Sequence, residues 1–369
     1  MADARSLALV PFHFWSVGFF VFGSLAGSFL NVCIYRLPRG ESVVWPPSHC
    51  PHCNYRIPWY LNLPLFTWLY LRGRCANCGA PISFRYWAVE LLTALLFLGC
   101  WLQFGSQSTW QAIAGCVLLA GFVVATFIDF EHFIIPDEIT LGGMAAGFIF
   151  SFVAPPMHGV KSAPESLQAS FWGMVMGAAV IYALVRIGKL LFGRHTLTLA
   201  PDSTVVFTDT ALQLPDQEIP YGDLLYRKSD RILLQAKKVV LGDRQWENVA
   251  VTLSPSRLRI GEEEMDPEPV TRMEVTADAI ELPREAMGLG DVKFMAAIGA
   301  FIGWPGVVFT LLVSSALGAA VGITLILLRK RDWGHIPYGP YLAVAATIWM
   351  FGGNRLVGWW LQLTRPIGW

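Results

Sequence analysis

Apolar runs recur along this chain from residue 14 to residue 361, and that recurrence limits its fold more than any other feature. The runs cover about 14–35, 87–104, 110–128, 138–154, 168–192, 292–303, 305–328 and 338–361. A stretch of roughly 20 apolar residues spans a bilayer as a helix. Charged residues make up 15% of the chain and mean hydropathy is +0.48, whereas a soluble domain carries about 25% charge. The chain is therefore expected to be an all-α polytopic membrane protein with about eight transmembrane helices. No single removable signal segment stands apart from the other runs. Lys plus Arg equals Asp plus Glu, at 27 each, so nothing in the overall charge points to nucleic acid.

Local charge sets the expected sidedness. Between the first two runs lie Arg36, Arg39, Arg56, Arg72, Arg74 and Arg85. Further basic residues sit at Arg186, Lys189 and Arg194 and at Arg329, Lys330 and Arg331, while Lys161 is the exception on the opposite side. The positive-inside rule then puts loop 36–86 in the cytoplasm. Residues 193–286 break the apolar pattern, holding 28 of the chain's 54 charges. Such a stretch cannot cross hydrocarbon. Its β-like segments are Thr204–Thr208, Arg231–Val240, Val249–Leu253 and Arg257–Ile260, with turns at Gly242-Asp243 and Ser254-Pro255. It reads as a small β-rich cytoplasmic domain inserted between the fifth and sixth spans, and its acidic run Glu262–Asp266 as a solvated loop.

Four of the seven cysteines form two pairs, Cys50-x2-Cys53 and Cys75-x2-Cys78. Each pair can set two sulfurs on one side of a turn, and two such turns supply the tetrahedron Zn²⁺ prefers. A structural zinc is expected, with an iron–sulfur cluster as the alternative. Four thiolates close the shell and leave no position for a reactive water, so the metal would shape the loop. Cys33, Cys100 and Cys116 lie in or beside apolar runs and read as small buried hydrophobes.

Two carboxylates fall at membrane boundaries: Asp129, in Phe127-Ile128-Asp129-Phe130-Glu131-His132, and Asp291, in Gly288-Leu289-Gly290-Asp291. Acids at such depth are costly and usually functional. Brought together, two of them share one proton, so one can activate water while the other protonates a leaving amine. The glycines before Asp291 allow a turn and a close backbone approach. Asp129 alone could equally be a helix-end residue, and Asp137 a cap for the fourth span. Glu131 and Glu138 read as surface acids, whereas Glu90, early in the second span, is harder to dismiss. On these residues alone a transporter with a carboxylate relay, or a non-enzymatic membrane scaffold, stays open.

Several blocks together resemble the bacterial type IV prepilin peptidases, bifunctional leader peptidases and N-methyltransferases of the GxGD aspartyl type. They are Gly23–Val32 followed by Tyr35-Arg36-Leu37-Pro38, the two cysteine pairs, Asn62-Leu63-Pro64-Leu65, Leu71–Cys75, Ile82–Tyr86 with Glu90, Asp129–Asp137, Gly288–Lys293 and Ile336–Tyr341. The resemblance implies that Asp129 and Asp291 are catalytic and that Cys50, Cys53, Cys75 and Cys78 hold one zinc. It implies that Gly73 is linked to methyl transfer from S-adenosylmethionine. It further implies an enzyme of the bacterial inner membrane that cuts the basic leader from prepilins or pseudopilins and methylates the new N-terminus. Peptidase activity without methylation is the narrower alternative. The implied organisation is a first helix in 1–35, a zinc loop in 36–86, helices two to five with the first aspartate in 87–192, the insert in 193–286 and the GxGD segment with the last helices in 287–369. The insert departs from the family pattern and could contact pilus or secretion assembly proteins.

Overall fold

A computed structural model describes residues 11–192, 194–200, 202–215, 218–225, 230–267, 270–283, 288–328 and 337–363. The chain divides into two compact units, Met1–Tyr182 together with Gly288–Trp369, and Ala183–Met287.

The first unit is helical: α1 Phe12–Arg36, the short α2 Phe66–Tyr70, α3 Phe84–Phe104, α4 Thr109–His132 and α5 Asp137–Val153. Helix α6, Ala163–Phe192, begins in this unit and runs on into the second. Among the described residues five helices are long and apolar enough to cross a membrane, at Phe12–Arg39, Phe84–Phe104, Thr109–His132, Ala163–Gly188 and Leu289–Leu327. The expectation of about eight crossings is corrected accordingly. The run at 138–154 forms a helix of only 17 residues. The runs at 292–303 and 305–328 join in one 39-residue element that bends at Gly303 (φ 68°, ψ 176°), just before Pro305. The last run breaks into Gly339–Ile348, a five-residue π turn and Asn354–Leu363. Hydropathy registers apolar length, but it does not see where a backbone bends or breaks. Arg329, Lys330, Arg331 and Ile336 lie outside the described residues. The protein is a multi-pass membrane protein.

Glycines set the closest helix contacts. A Cβ at Gly23 would lie 2.8 Å from Ala94 Cα, and one at Gly27 would lie 2.7 Å from Glu90 Cα. The Gly23-xxx-Gly27 face of α1 thus lets the α3 backbone approach, the usual small-residue device of membrane helices. Asn31, one turn on, donates to Tyr86 O at 3.0 Å and fixes the start of α3.

The second unit is an antiparallel sheet of ten strands. In chain order these are β1 Arg194–Thr198, β2 Thr204–Thr208, β3 Ala211–Gln213, β4 Glu218–Pro220, β5 Ile232–Leu241, β6 Arg244–Ser254, β7 Arg257–Ile260, β8 Glu263–Met265, β9 Arg272–Thr276 and β10 Ala279–Pro283. A single helical turn, α7 Tyr221–Leu224, separates β4 from β5. The main path runs β4-β3-β2-β9-β5-β6-β7-β8, and β10 joins β5 to β1. Strand β5 changes partner along its length. Its first half pairs with β10, and Lys238–Val240 pair with β9. At the change, Lys237 and Lys238 are both exposed, so the buried set shifts from Ile232, Leu234 and Ala236 to Val239. The core beneath gathers Phe207, Leu212, Val251, Leu258, Ile260, Met273, Val275 and Ile280. Gly242, at φ 57°, opens the two-residue β5–β6 turn, where a positive φ matches the strand twist. The expected β-rich insert is therefore present, with more strands than the four read from sequence. Part of the run Glu262–Asp266, expected as a loop, forms β8.

Following the insert, α8 Leu289–Leu327 returns to the first unit, then α9 Gly339–Ile348 and α10 Asn354–Leu363 complete the chain.

Candidate functional site

The two aspartate segments meet through small residues. Helix α4 ends at His132, and Phe133 takes a left-handed conformation (φ 56°) with its N–H returned to Asp129 O. The chain then runs through buried Ile135 to Pro136, which precedes α5. Asp129 is itself buried. Its Oδ2 accepts the backbone N–H of Gly339 at 2.9 Å. A Cβ on Gly339 would stand 2.7 Å from that oxygen and 3.1 Å from Ile135 Cδ1, so only glycine leaves the space. On the other side of Ile135 lies the second segment: a Cβ on Gly290 would be 3.5 Å from Ile135 Cβ. Asp291 follows in the first turn of α8. Lys293 Nζ then reaches Asp137 at 2.7 Å and 2.9 Å, tying the first turn of α8 to the first turn of α5. Sequence reading marked the Ile336–Tyr341 block but not Gly339 as the donor to Asp129. It also treated Asp137 as a cap, whereas the structure makes it the partner of Lys293. A cation two residues beyond Asp291 was the available signal.

The four cysteines converge as well. Their ligand atoms all lie within 4.8 Å of one another, and Cys50 Sγ is 3.8 Å from Cys78 Sγ. A tetrahedral ion bound at about 2.3 Å to sulfur spaces its ligands by about 3.8 Å, so this donor set fits a metal. The two half-sites repeat one another. Cys50 N donates to Tyr55 O and Cys75 N to Ala80 O, while Asn54 N and Gly79 N donate to Cys50 O and Cys75 O. Asn54 (φ 55°) and Gly79 (φ 71°) hold the same left-handed position. Bridges His49–Arg56 and Arg74–Pro81 close the turns. Backbone hydrogen bonds from Cys78 and Asn77 lower the Cys75 thiol to about 6, whereas the Cys78 thiol, against its own backbone hydrogen bond from Ala80, is pushed up to about 11 by the hydrogen bonds it shares with Cys53 and Cys75. None of the seven cysteines is in a disulfide, and Cys33, Cys100 and Cys116 are buried as expected.

Gly73 is buried at φ 65°, and a Cβ there would meet Trp68 Cζ2 at 2.9 Å. Trp68 Nε1 in turn donates to Ile82 O at 3.2 Å. The geometry of Gly73 is that of a residue shaping the cysteine loop. Glu90, buried on α3, accepts the Leu65 N–H at 2.7 Å and holds the start of α2. Arg85, at the end of the loop, pairs with Glu131, two residues beyond Asp129.

A buried aspartate, a second aspartate segment packed near it and a four-thiol cluster able to hold a metal lie on one helical membrane unit. Comparison with known families agrees. Residues 21–104 match the bacterial peptidase A24 N-terminal domain, and residues 116–195 and 279–323 match the type IV leader peptidase family. A prepilin leader peptidase/N-methyltransferase of Aeromonas hydrophila is 29% identical over 377 residues, covering 95% of each chain. One from Myxococcus xanthus is 42% identical over 187 residues, 50% of this chain and 52% of its own. A type 4 prepilin-like proteins leader peptide-processing enzyme of Escherichia coli is 37% identical over 193 residues, 47% of this chain and 68% of its own. No solved structure matches the chain. The chain belongs to the bacterial type IV prepilin leader peptidase/N-methyltransferase family.

Proposed function

We propose that this protein is a membrane aspartyl endopeptidase that removes the basic leader of type IV prepilins or pseudopilins at the cytoplasmic face of the inner membrane. It then methylates the new N-terminal amine. The observation that carries the peptidase reading is the meeting of Asp129 and Gly288–Asp291 around Ile135, with Asp129 held by the Gly339 N–H. One carboxyl is ionised and takes a proton from water. The water oxygen attacks the scissile carbonyl carbon, and the other carboxyl gives its proton to the leaving nitrogen as the C–N bond breaks. The acidic pair suits a leader rich in Lys and Arg. Cys50, Cys53, Cys75 and Cys78 hold one zinc, which stiffens loop 36–86. S-adenosylmethionine supplies the methyl group, and the loop's part is to align the amine and exclude water.

The test uses purified full-length protein in lipid with a matched prepilin, followed by mass spectrometry of the mature chain. Asp129→Asn and Asp291→Asn are each expected to lose cleavage by at least about 10³-fold while keeping helical content and unfolding temperature. Cleavage at the parental rate by either variant rejects the role given to that residue.

A further inference from the structure

Loop 36–86 carries an apolar surface that the proposed chemistry does not use. On α2, Phe66, Leu69 and Tyr70 share one face by their i, i+3, i+4 spacing, and all three are exposed. The other face is spoken for: Trp68 packs edge-on to Phe84 and beside Trp87 at the start of α3. The short turn before α2 adds Trp59 and Tyr60, and Trp59 and Tyr70 are each 80% exposed. Val44 and Trp45 are exposed nearer the start of the loop. Outside a membrane span, large side chains grouped this way mark a contact surface.

Charge indicates what that surface contacts. Loop 36–86 has six arginines against one acid, Glu41. Three of the arginines are occupied: Arg36 by the carbonyls of Ser42 and Pro46, Arg39 by the carbonyl and ring of Tyr35, and Arg85 by Glu131. Arg56, Arg72 and Arg74 are exposed and have no acidic partner among the described residues. Arg72 and Arg74 follow α2 directly, and Arg56 precedes Trp59 by three residues. Aromatic side chains interleaved with arginine match the headgroup zone of a bilayer, where rings sit at the apolar boundary and cations meet anionic lipid. The loop is also rooted in that bilayer at both ends, since α1 ends at Arg36 and α3 starts at Phe84.

We infer that the cysteine loop docks on the anionic surface of its own membrane, through Trp59, Tyr60, Phe66, Leu69 and Tyr70 with Arg56, Arg72 and Arg74. The inference is independent of either catalytic assignment. The loop would lie along the interface, and the four-thiol site would be held at headgroup level.

Benzoylphenylalanine placed at Phe66 or at Tyr70 of the full chain tests this in nanodiscs. One set contains phosphatidylcholine alone, and the other contains phosphatidylcholine mixed with phosphatidylglycerol. After irradiation, adducts are identified by mass. The expected products are lipid adducts, enriched in phosphatidylglycerol over its share of the mixture. The double variant Arg56→Gln/Arg72→Gln should lower that enrichment about fivefold per arginine, and Arg56→Lys/Arg72→Lys should restore it. The cross-link in the otherwise unaltered chain decides the question even if the glutamine variant folds poorly. Adducts to a second copy of the chain, or to a co-reconstituted prepilin in place of lipid, overturn the inference. So does equal capture of the two lipids, or no lipid capture at either position.

Discussion

At the scale of single residues, chemistry-bearing side chains were readable and the backbone that holds them was not. The spacing of Cys50, Cys53, Cys75 and Cys78 points to a metal tetrahedron by itself, because two Cys-x2-Cys turns supply four soft donors. The matching left-handed positions at Asn54 and Gly79 could not be read in the same way, since Asn and Gly serve many turns. Replacing Cys75 by Ser leaves three thiolates. Structural zinc binding is worth roughly 10 kcal/mol or more, so removing one ligand should drop metal content in purified protein well below one ion per chain. Elemental analysis checks this, and an unchanged metal content would mean that the cluster is not the binding site. A second residue prediction concerns His158, which sits between α5 and α6. Its Nδ1 lies 3.1 Å from Ser166 Oγ, and its Nε2 is buried without a hydrogen-bond partner among the described residues. Burial lowers the imidazole to about 4. The unfolded chain, with an ordinary value near 6.5, then binds more protons than the folded one between those limits. His158 therefore favours folding above about pH 6.5, and that contribution falls away as pH drops toward 4. Thermal unfolding in detergent should show a decline over this range that His158→Gln flattens. An equally steep decline in the variant would assign the dependence to other groups.

At the scale of elements, the apolar runs located the helices, while glycine decided how they pack. Gly173 and Gly177 on α6 face α8 so closely that a Cβ at Gly173 would fall 2.1 Å from Gly299 O, and one at Gly177 would fall 2.4 Å from Met295 O. Those obstacles are backbone atoms, so no side-chain rotation relieves them. Gly173→Ala should cost more than the roughly 1–3 kcal/mol of ordinary overpacking and should lower both folded yield and unfolding temperature. Gly142→Ala is the matched control, because nothing lies within 4 Å of its Cβ position. Alanine there should be neutral, or stabilising by up to about 1 kcal/mol. Equal behaviour of the two variants in a thermal melt would rule out the close α6–α8 contact. The same limit on sequence reading explains the helix count. A glycine inside an apolar run can mark a tight contact, as at Gly173, or a bend, as at Gly303, and the run looks alike in both cases. Among the strands, Thr204–Thr208 and Arg257–Ile260 were legible as short β-like runs set off by turn residues. The three-residue strands β3, β4 and β8 were too short to show a period.

At the scale of the whole molecule, the insert and the family pattern stand in a simple relation. The leader peptidase match stops at residue 195 and resumes at 279. Those positions fall on β1 and β10, which pair antiparallel from Arg194↔Pro283 to Thr198↔Ala279. The insert therefore begins and ends on neighbouring strands, and it closes its own core of Val205, Phe207, Ile232, Val251, Leu258 and Val275. Insertions whose ends lie side by side are cheap, because closing the loop costs only a slowly growing entropy. Two consequences follow from one geometry. Residues 193–286 expressed alone should be soluble and unfold cooperatively, as a domain with its own core does. The complementary chain, with 195–282 replaced by a short Gly/Ser linker, should retain its helical content and unfold within a few degrees of the parent. Under the proposed function it should also cleave a generic prepilin within about threefold of the parental rate, because neither Asp129 nor Asp291 is removed. Circular dichroism melts and a cleavage time course on the three proteins measure all of this. If the isolated insert is unstructured, or the shortened chain loses its helices, the two units share a fold that the paired ends of β1 and β10 do not explain. If the shortened chain folds but cleaves a generic prepilin far more slowly, the insert takes part in handling the substrate.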